Sequence, residues 1–317
     1  LHIKTPEVIR MRIALIGAGA LGGVIGFYLS AVADVVLVDP WAEHVAAMAA
    51  HGLRCERDGV ETIRPVRAVG APALAGPVEA ALVLVKSQQT PWAATVARTV
   101  LARAGVAYTL QNGLGNREIL AEALGEERVG QGVTLLGGTL LGPGRVRHAG
   151  MGPTLFGAAP DRALAGALAD LFNRAGLPAE VQEEVTGLVW GKLIVNAGIN
   201  ALTALLRVPN GALAEAPAAR ALLAAAAREA AAVAAALGVQ LPYADPVEHV
   251  LEVARATAAN WSSTLQDVLR GVPTEIAAIN GAVAREGARV GVPTPVNALL
   301  ASLIEALEAT AGQRVGE

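Results

Sequence analysis

The chain has 317 residues, 53% of them hydrophobic and 17% charged, with a formal net charge of −3. That composition supplies enough apolar material for two cores and excludes a disordered or fibrous chain. No basic run accompanies the weak negative balance, so nothing points to nucleic acid. The one cysteine, Cys55, can form neither an internal disulfide nor a cysteine-based metal site, which suits a reducing cytoplasm.

Residues 1–10 precede a methionine that opens the first strand signal; they lack the apolar core of a signal peptide and are read as an upstream extension. The stretch Met11-Arg-Ile-Ala-Leu-Ile-Gly17-Ala-Gly19-Ala20-Leu21-Gly22 joins a short apolar strand to glycines at G-x-G-x-x-G spacing, and a helical pattern follows. A second apolar run, Asp34–Val38, ends in Asp39. This is the layout of a dinucleotide-binding βαβ unit. Gly17 permits the tight turn, Gly19 admits backbone N–H groups to a pyrophosphate, Gly22 lets the helix approach the strand, and an acid about 20 residues on meets a ribose. A ligand-free glycine turn would carry the same glycines; the strand before, the helix after and the acid beyond favour the nucleotide site.

Residues 41–50 read as a helix, followed by a hairpin around Asp58-Gly59. Residues 80–85 and 105–110 read as strands separated by a helical pattern, and 128–136 and 144–156 as strands broken by Gly138, Gly142 and Gly144. Together they predict a doubly wound sheet. Beyond Pro160 the strand signals stop, and helical patterns cover 162–175, 185–206, 218–237, 246–260, 273–290 and 295–311. The expected architecture is an α/β N-terminal dinucleotide-binding (Rossmann-type) domain over 11–183, followed by an all-α C-terminal substrate and catalytic domain over 184–317. A ligand is expected in the crevice between them. Residues 221–237 are long and apolar but carry Arg228 and Glu229 in their middle, which favours an Ala-rich core helix over a membrane span. The Ala-rich helices leave a homodimer open.

Lysine is scarce: of 25 basic side chains only Lys4, Lys86 and Lys192 are lysine. A lysine retained where arginine serves elsewhere suggests proton transfer, because an ammonium has an ordinary pKa of roughly 10.4 and a guanidinium effectively never deprotonates. Steps of four put Lys192, Asn196 and Asn200 on one stripe of an otherwise apolar helix, so the stripe faces a cleft or forms a solvated face. Lys86 and Asn112 follow two successive strands, where they serve either a bound nucleotide or simple turn chemistry. Thr274 reads as an N-cap with Glu275 favouring the helix dipole, and Ser262-Ser263 as ordinary loop serines, unless these residues serve a ligand.

In order along the chain, Gly17-Ala-Gly19-Ala-Leu-Gly22, Val85-Lys86-Ser-Gln-Gln89-Thr90, Gln111-Asn112-Gly-Leu-Gly115 and Trp190-Gly-Lys192-Leu-Ile-Val-Asn196 resemble the ketopantoate reductase family (2-dehydropantoate 2-reductases). So do Ile199-Asn200-Ala-Leu-Thr203, Pro209-Asn210-Gly211, Ser262-Ser263-Thr-Leu-Gln-Asp267 and Pro273-Thr-Glu275-Ile-Ala-Ala-Ile-Asn-Gly281. The resemblance implies a reductase of a small 2-oxo acid, with Lys192 as general acid and Glu275 supporting it. Asn196, Asn200, Ser263 and Asn112 would hold substrate. Gly17, Gly19, Ala20, Leu21, Gly22, Asp39, Lys86, Gln89 and Asn112 would hold a nicotinamide cofactor. NADPH is the common cofactor of that family, yet Val38-Asp39-Pro40-Trp41-Ala42-Glu43-His44 offers two acids and no Lys or Arg, which favours NADH. Two alternatives accompany this reading: a D-2-hydroxyacid dehydrogenase for other branched or aromatic 2-oxo acids, and an NAD(H)-sensing protein without turnover. A sensor has no need of a proton donor such as Lys192.

Overall fold

The structure, a computed structural model, describes residues 11–313; the proposed upstream extension, 1–10, lies outside them. The described residues fold into two compact units, one formed by residues 11–111 with Asn116–Val185, the other by Asn112–Gly115 with residues 186–313.

The first unit contains, in order, β1 (Arg12–Ile16), α1 (Ala20–Leu29), β2 (Asp34–Val38), α2 (Ala42–His51), β3 (Leu53–Arg57), β4 (Val60–Arg64), β5 (Arg67–Val69), β6 (Val78–Val83), α3 (Thr90–Val100) and β7 (Leu101–Thr109). After the excursion at 112–115 come α4 (Asn116–Leu124), β8 (Val129–Thr134), β9 (Gly137–Gly142), β10 (Arg145–Gly150), β11 (Thr154–Gly157), α5 (Arg162–Arg174) and β12 (Ala179–Gln182). The main sheet has eight strands in the order β12-β11-β8-β7-β6-β1-β2-β5, parallel throughout except where β11 meets β8. Strand β1 lies between β2 and β6, so the strand order reverses at its end, the place where α/β sheets hold ligands. Alternate residues of β1 feed opposite cores: Ile13 and Leu15 pack with Ile25, Leu37 and Tyr108, whereas Ala14 and Ile16 pack with Val38, Ala93 and Val96.

A second sheet, β4-β3-β10-β9, was not foreseen. The hairpin around Asp58-Gly59 does form its β3–β4 turn, with both residues at positive φ, 51° and 78°. Gly138, expected to break a strand, instead lies within β9; Gly142 and Gly144 do mark a break, since β9 ends at Gly142 and Gly144 stands in the turn before β10. At Gly138 the reason is close approach: a Cβ there would sit 2.7 Å from the Ala20 carbonyl oxygen at the start of α1. Strand β12 also departs from the reading that strands end at Pro160. Its four residues, Ala-Glu-Val-Gln, are too short and too polar to signal a strand, and parallel pairing with β11 creates it.

The second unit is helical: α6 (Thr186–Leu206), α7 (Asn210–Glu215), α8 (Pro217–Ala236), α9 (Pro246–Ala256), α10 (Ser263–Arg270), α11 (Asn280–Val290) and α12 (Pro295–Ala309). Helix α6 packs against α8, α9, α10 and α12. Among the described residues it is the one helix long and apolar enough to cross a membrane, and 67% of that window is buried inside the protein. In α8, Glu229 accepts the Val296 and Asn297 N–H groups (both 2.9 Å) and Asn297 Nδ2 (2.8 Å), so the acid that interrupts the Ala-rich stretch caps α12. Two helical readings shorten. Helix α9 stops at Ala256, where 258–260 turns to accept the N–H groups of Asn210 (3.0 Å) and Gly211 (3.1 Å). The stretch 273–290 breaks into a 3-10 turn, Ile276–Ala278, and α11.

The excursion Asn112–Gly115 belongs with this second unit because Leu114 N–H donates to the Ala278 carbonyl (3.0 Å). Gly113 has φ +83°, and a Cβ on it would lie 2.4 Å from the same carbonyl oxygen. Gly113→Ala is therefore expected to lower stability by about 1–3 kcal/mol, combining left-handed strain with a backbone clash. Urea unfolding of the variant beside the wild type measures it, and an unchanged midpoint refutes it.

Candidate active site

In the first unit β1 ends at Ile16 and α1 begins at Ala20, so residues 17–19 make the whole turn. Gly17 N–H donates to the Val38 carbonyl (2.8 Å), fastening the turn to the end of β2. The Ala18 peptide groups are held from two sides. Its N–H donates to Asp39 Oδ2 (2.7 Å), and its carbonyl lies 2.9 Å from His44 Nε2. His44 Nδ1 accepts the Gly144 N–H (2.8 Å), so the ring proton sits on Nε2 and points at Ala18. Gly22 cannot carry a side chain, because a Cβ would lie 1.8 Å from the Gly17 carbonyl oxygen. The first intrahelical bond of α1 runs from Gly23 N–H to Gly19 O (2.8 Å). The N–H groups of Ala20, Leu21 and Gly22 precede it, at the positive end of the helix dipole. Above Gly19 the space is open: a Cβ there would meet nothing within 4 Å. This cradle fits a pyrophosphate.

Asp39 is buried, and its other oxygen, Oδ1, accepts the Trp41 N–H (2.9 Å). The acid expected to meet a ribose thus also staples the glycine turn; each carboxylate oxygen keeps a further lone pair for a hydroxyl. Lys86 and Gln89 flank and end the 3-10 turn Ser87–Gln89 that follows β6. Nearby, Gln111 Nε2 donates to the Val85 carbonyl and to Thr90 Oγ1 (both 2.9 Å), and Thr90 Oγ1 donates to Asn116 Oδ1 (2.8 Å). This lock on the strand ends went unread in the sequence, since polar residues around an Asn-Gly turn look like turn chemistry.

In the second unit the stripe Lys192, Asn196 and Asn200 runs along α6, and it is not a solvated face. Asn200 is buried, and Lys192 and Asn196 are half-buried. Burial pulls the Lys192 ammonium down to about 8, with the Glu275 carboxylate opposing that fall. Glu275 is itself buried, and Asn112 Nδ2 donates to its Oε2 at 3.4 Å. Glu275 does not open a helix: a 3-10 turn follows it, and α11 starts at Asn280. Thr274 Oγ1 accepts the Ile276 N–H (3.2 Å), a local turn rather than a helix cap, so the dipole reading of Glu275 lapses.

Two turns beyond Lys192 along α6, Asn200 Nδ2 reaches Ser263 Oγ at 3.5 Å. The paired serines are not loop residues. Ser262 is the N-cap of α10, accepting the Leu265 N–H (3.1 Å), and receives a hydrogen bond from Thr203 Oγ1 (2.7 Å). Ser263 is thereby set on a helix end beside Asn200. The structure brings Lys192, Glu275 and Asn112 together at one end of the polar stripe and Asn200 with Ser263 at the other. Asn280 was missed as part of this frame: its Nδ2 donates to the Ala197 carbonyl in α6 and to Asn297 Oδ1 (both 3.0 Å).

Residues 13–161 match the family model described as ketopantoate reductase PanE/ApbA, and 184–308 match its C-terminal model. The 2-dehydropantoate 2-reductase of Halobacterium salinarum is 36% identical over 298 residues, covering 93% of this chain and 98% of that protein. Its counterpart from Pyrococcus horikoshii is 33% identical, covering 95% and 99%. The crystal structure of a PanE/ApbA family ketopantoate reductase from Ralstonia eutropha superposes with a TM-score of 0.88 at 34% identity, over 96% of this chain and 100% of that one. A ternary structure of D-mandelate dehydrogenase with NADH and anilino(oxo)acetate also scores 0.88, at 28% identity over 96% and 100%. With a glycine turn whose shape fits a pyrophosphate in one unit, a half-buried lysine beside a buried carboxylate in the other, and relatives matched from end to end, the chain belongs to the ketopantoate reductase family.

Proposed function

We propose that this protein reduces 2-dehydropantoate (ketopantoate) to D-pantoate with a reduced nicotinamide dinucleotide, and that Lys192 is the proton donor. The observation that carries this reading is the Lys192 ammonium, lowered to about 8 by burial and held against buried Glu275. A donor with a pKa near the working pH protonates an oxygen efficiently. The cradle of Gly17, Gly19, Ala20, Leu21 and Gly22 suits the pyrophosphate, with Asp39, Lys86 and Gln89 serving the rest of the cofactor. The cofactor, when bound, supplies the hydride that reaches the substrate's carbonyl carbon. Lys192 Nζ gives its proton to the carbonyl oxygen as negative charge grows there, and its remaining positive charge before transfer stabilises that oxygen. Glu275, steadied by Asn112, holds the ammonium in place. Asn196, Asn200 and Ser263 offer amide and hydroxyl groups to the substrate's carboxylate and hydroxyl. A cytoplasmic setting belongs to the same proposal, in keeping with a lone buried thiol, Cys55.

The likeness to D-mandelate dehydrogenase favours a second reading, reduction of an aromatic 2-oxo acid. Assaying ketopantoate beside branched and aromatic 2-oxo acids, with NADH and NADPH, separates the two. The first reading fails if ketopantoate is not turned over.

Three outcomes follow for variants and pH. Lys192→Ala lowers kcat by ~10²–10⁴, the range for loss of a positioned acid, and Lys192→Arg restores little because guanidinium does not release its proton. Near wild-type kcat in the arginine variant removes Lys192 from the role.

Because the donor must be protonated, kcat falls as pH rises through about 8. The Glu275 carboxylate raises the Lys192 pKa, so Glu275→Gln moves that alkaline limb to lower pH. A limb that stays in place in a pH–rate profile of the variant argues against the pairing.

For the cofactor, Asp39 is buried at the end of β2, Glu43 is exposed in the first turn of α2, and no Lys or Arg stands between them. A 2′-phosphate there would meet carboxylate charge. The expected kcat/KM is at least about tenfold higher with NADH than with NADPH, about 1.4 kcal/mol in the transition state. Glu43→Arg, which spares the Asp39 staple, narrows the gap; equal turnover with both cofactors in the wild type overturns the preference.

A further inference from the structure

Trp41 is conspicuous in the first unit because it is a large aromatic left 38% exposed beside a tightly fastened turn. Its indole stacks on the His44 imidazole, with centroids 5.1 Å apart and planes within 10°. His44 is fully buried and cannot rotate freely, since Gly144 N–H and the Ala18 carbonyl hold its two nitrogens. The backbone of Trp41 is fixed as well, through its N–H to Asp39 Oδ1. The Trp41 backbone is therefore tied to the acid at the end of β2, and its indole rests on a ring that is itself bonded to the residue between the first two cradle glycines. Trp41 makes no side-chain cap at the start of α2, and more of its indole is left in solvent than packing on His44 requires of a core residue.

We infer that the Trp41 indole, backed by His44, is a stacking platform for the adenine ring of the dinucleotide. The inference rests on the nucleotide reading of the cradle and names the residue that would grip its distal half. A ribose whose hydroxyls meet Asp39 carries its base only a few ångströms away, and the Trp41 indole, two residues on and joined to Asp39 through its own N–H, offers a part-exposed π-face there. Base–aromatic stacking tolerates any planar heterocycle and needs no hydrogen-bond readout, so a preorganised ring suffices. Preorganisation also matters for affinity, because a ring already held by His44 loses little freedom on binding.

ADP-ribose tests this directly, since it carries the adenosine and pyrophosphate but no nicotinamide. Isothermal titration of the full-length protein with ADP-ribose and with NADH is expected to show binding to wild type, about tenfold or more weaker binding to Trp41→Ala, and largely restored binding to Trp41→Phe. Tryptophan fluorescence supplies a signature that a purely structural residue would not give. ADP-ribose quenches the wild-type emission, and Trp41→Phe loses that quenching while still binding. Equal ADP-ribose affinity in wild type and Trp41→Ala, or quenching that persists in Trp41→Phe, overturns the platform and leaves the cradle intact. Failure of wild type to bind either ligand overturns the nucleotide reading and the platform with it.

Discussion

An ammonium partly withdrawn from water loses hydration that an opposite charge must answer, and that constraint runs through the helical unit. Lys192 stays on α6 because Glu275 faces it, and Glu275 tolerates burial because Asn112 donates to it. Asn112 in turn depends on a backbone clasp, Leu114 to Ala278, that works only with glycine at 113. Asn280 ties the chain five residues beyond Glu275 back to α6 at Ala197. Each link makes the next affordable in a low-dielectric setting, and the result is an ammonium whose pKa is drawn down to about 8, as the proposed proton donor requires.

The first unit meets a different constraint by similar means. A glycine-rich turn is intrinsically floppy, and glycine gives up more conformational entropy on ordering than any other residue. Here the turn is pinned by Val38 at the end of β2, Asp39 just after it and His44 in the helix that follows. The N–H groups that open α1 are thereby presented in one arrangement, the preorganisation that the proposed pyrophosphate site calls for.

The sequence conveyed some of this better than the rest. The βαβ unit at 11–39 was readable because glycine spacing, strand and acid are local signals, and α6 was readable because its polar stripe repeats every four residues. The second sheet was not, since β9 looks like a glycine-broken loop until α1 lies against Gly138. Strand β12 exists only through its pairing with β11. Among site residues, Lys192 announced itself by the rarity of lysine. His44 gave no such hint, because a histidine in an amphipathic helix is ordinary until its two nitrogens are seen bridging Ala18 and Gly144. Ser262 and Glu275 illustrate the opposite error. Local capping rules assigned Glu275 to a helix start that the chain does not make there, and missed the real cap at Ser262.

The four residues Asn112–Gly115 leave the first unit's chain, join the second, and return. A gene fragment beginning at Thr186 would therefore encode Lys192 and Glu275 without the amide that donates to the carboxylate or the N–H that meets Ala278. Inheritance of the helical unit is discontinuous along the chain. A chimera that exchanges only the C-terminal half would pair one parent's buried acid with the other parent's loop, so the natural boundary for recombination includes a short insert that the linear order of domains conceals.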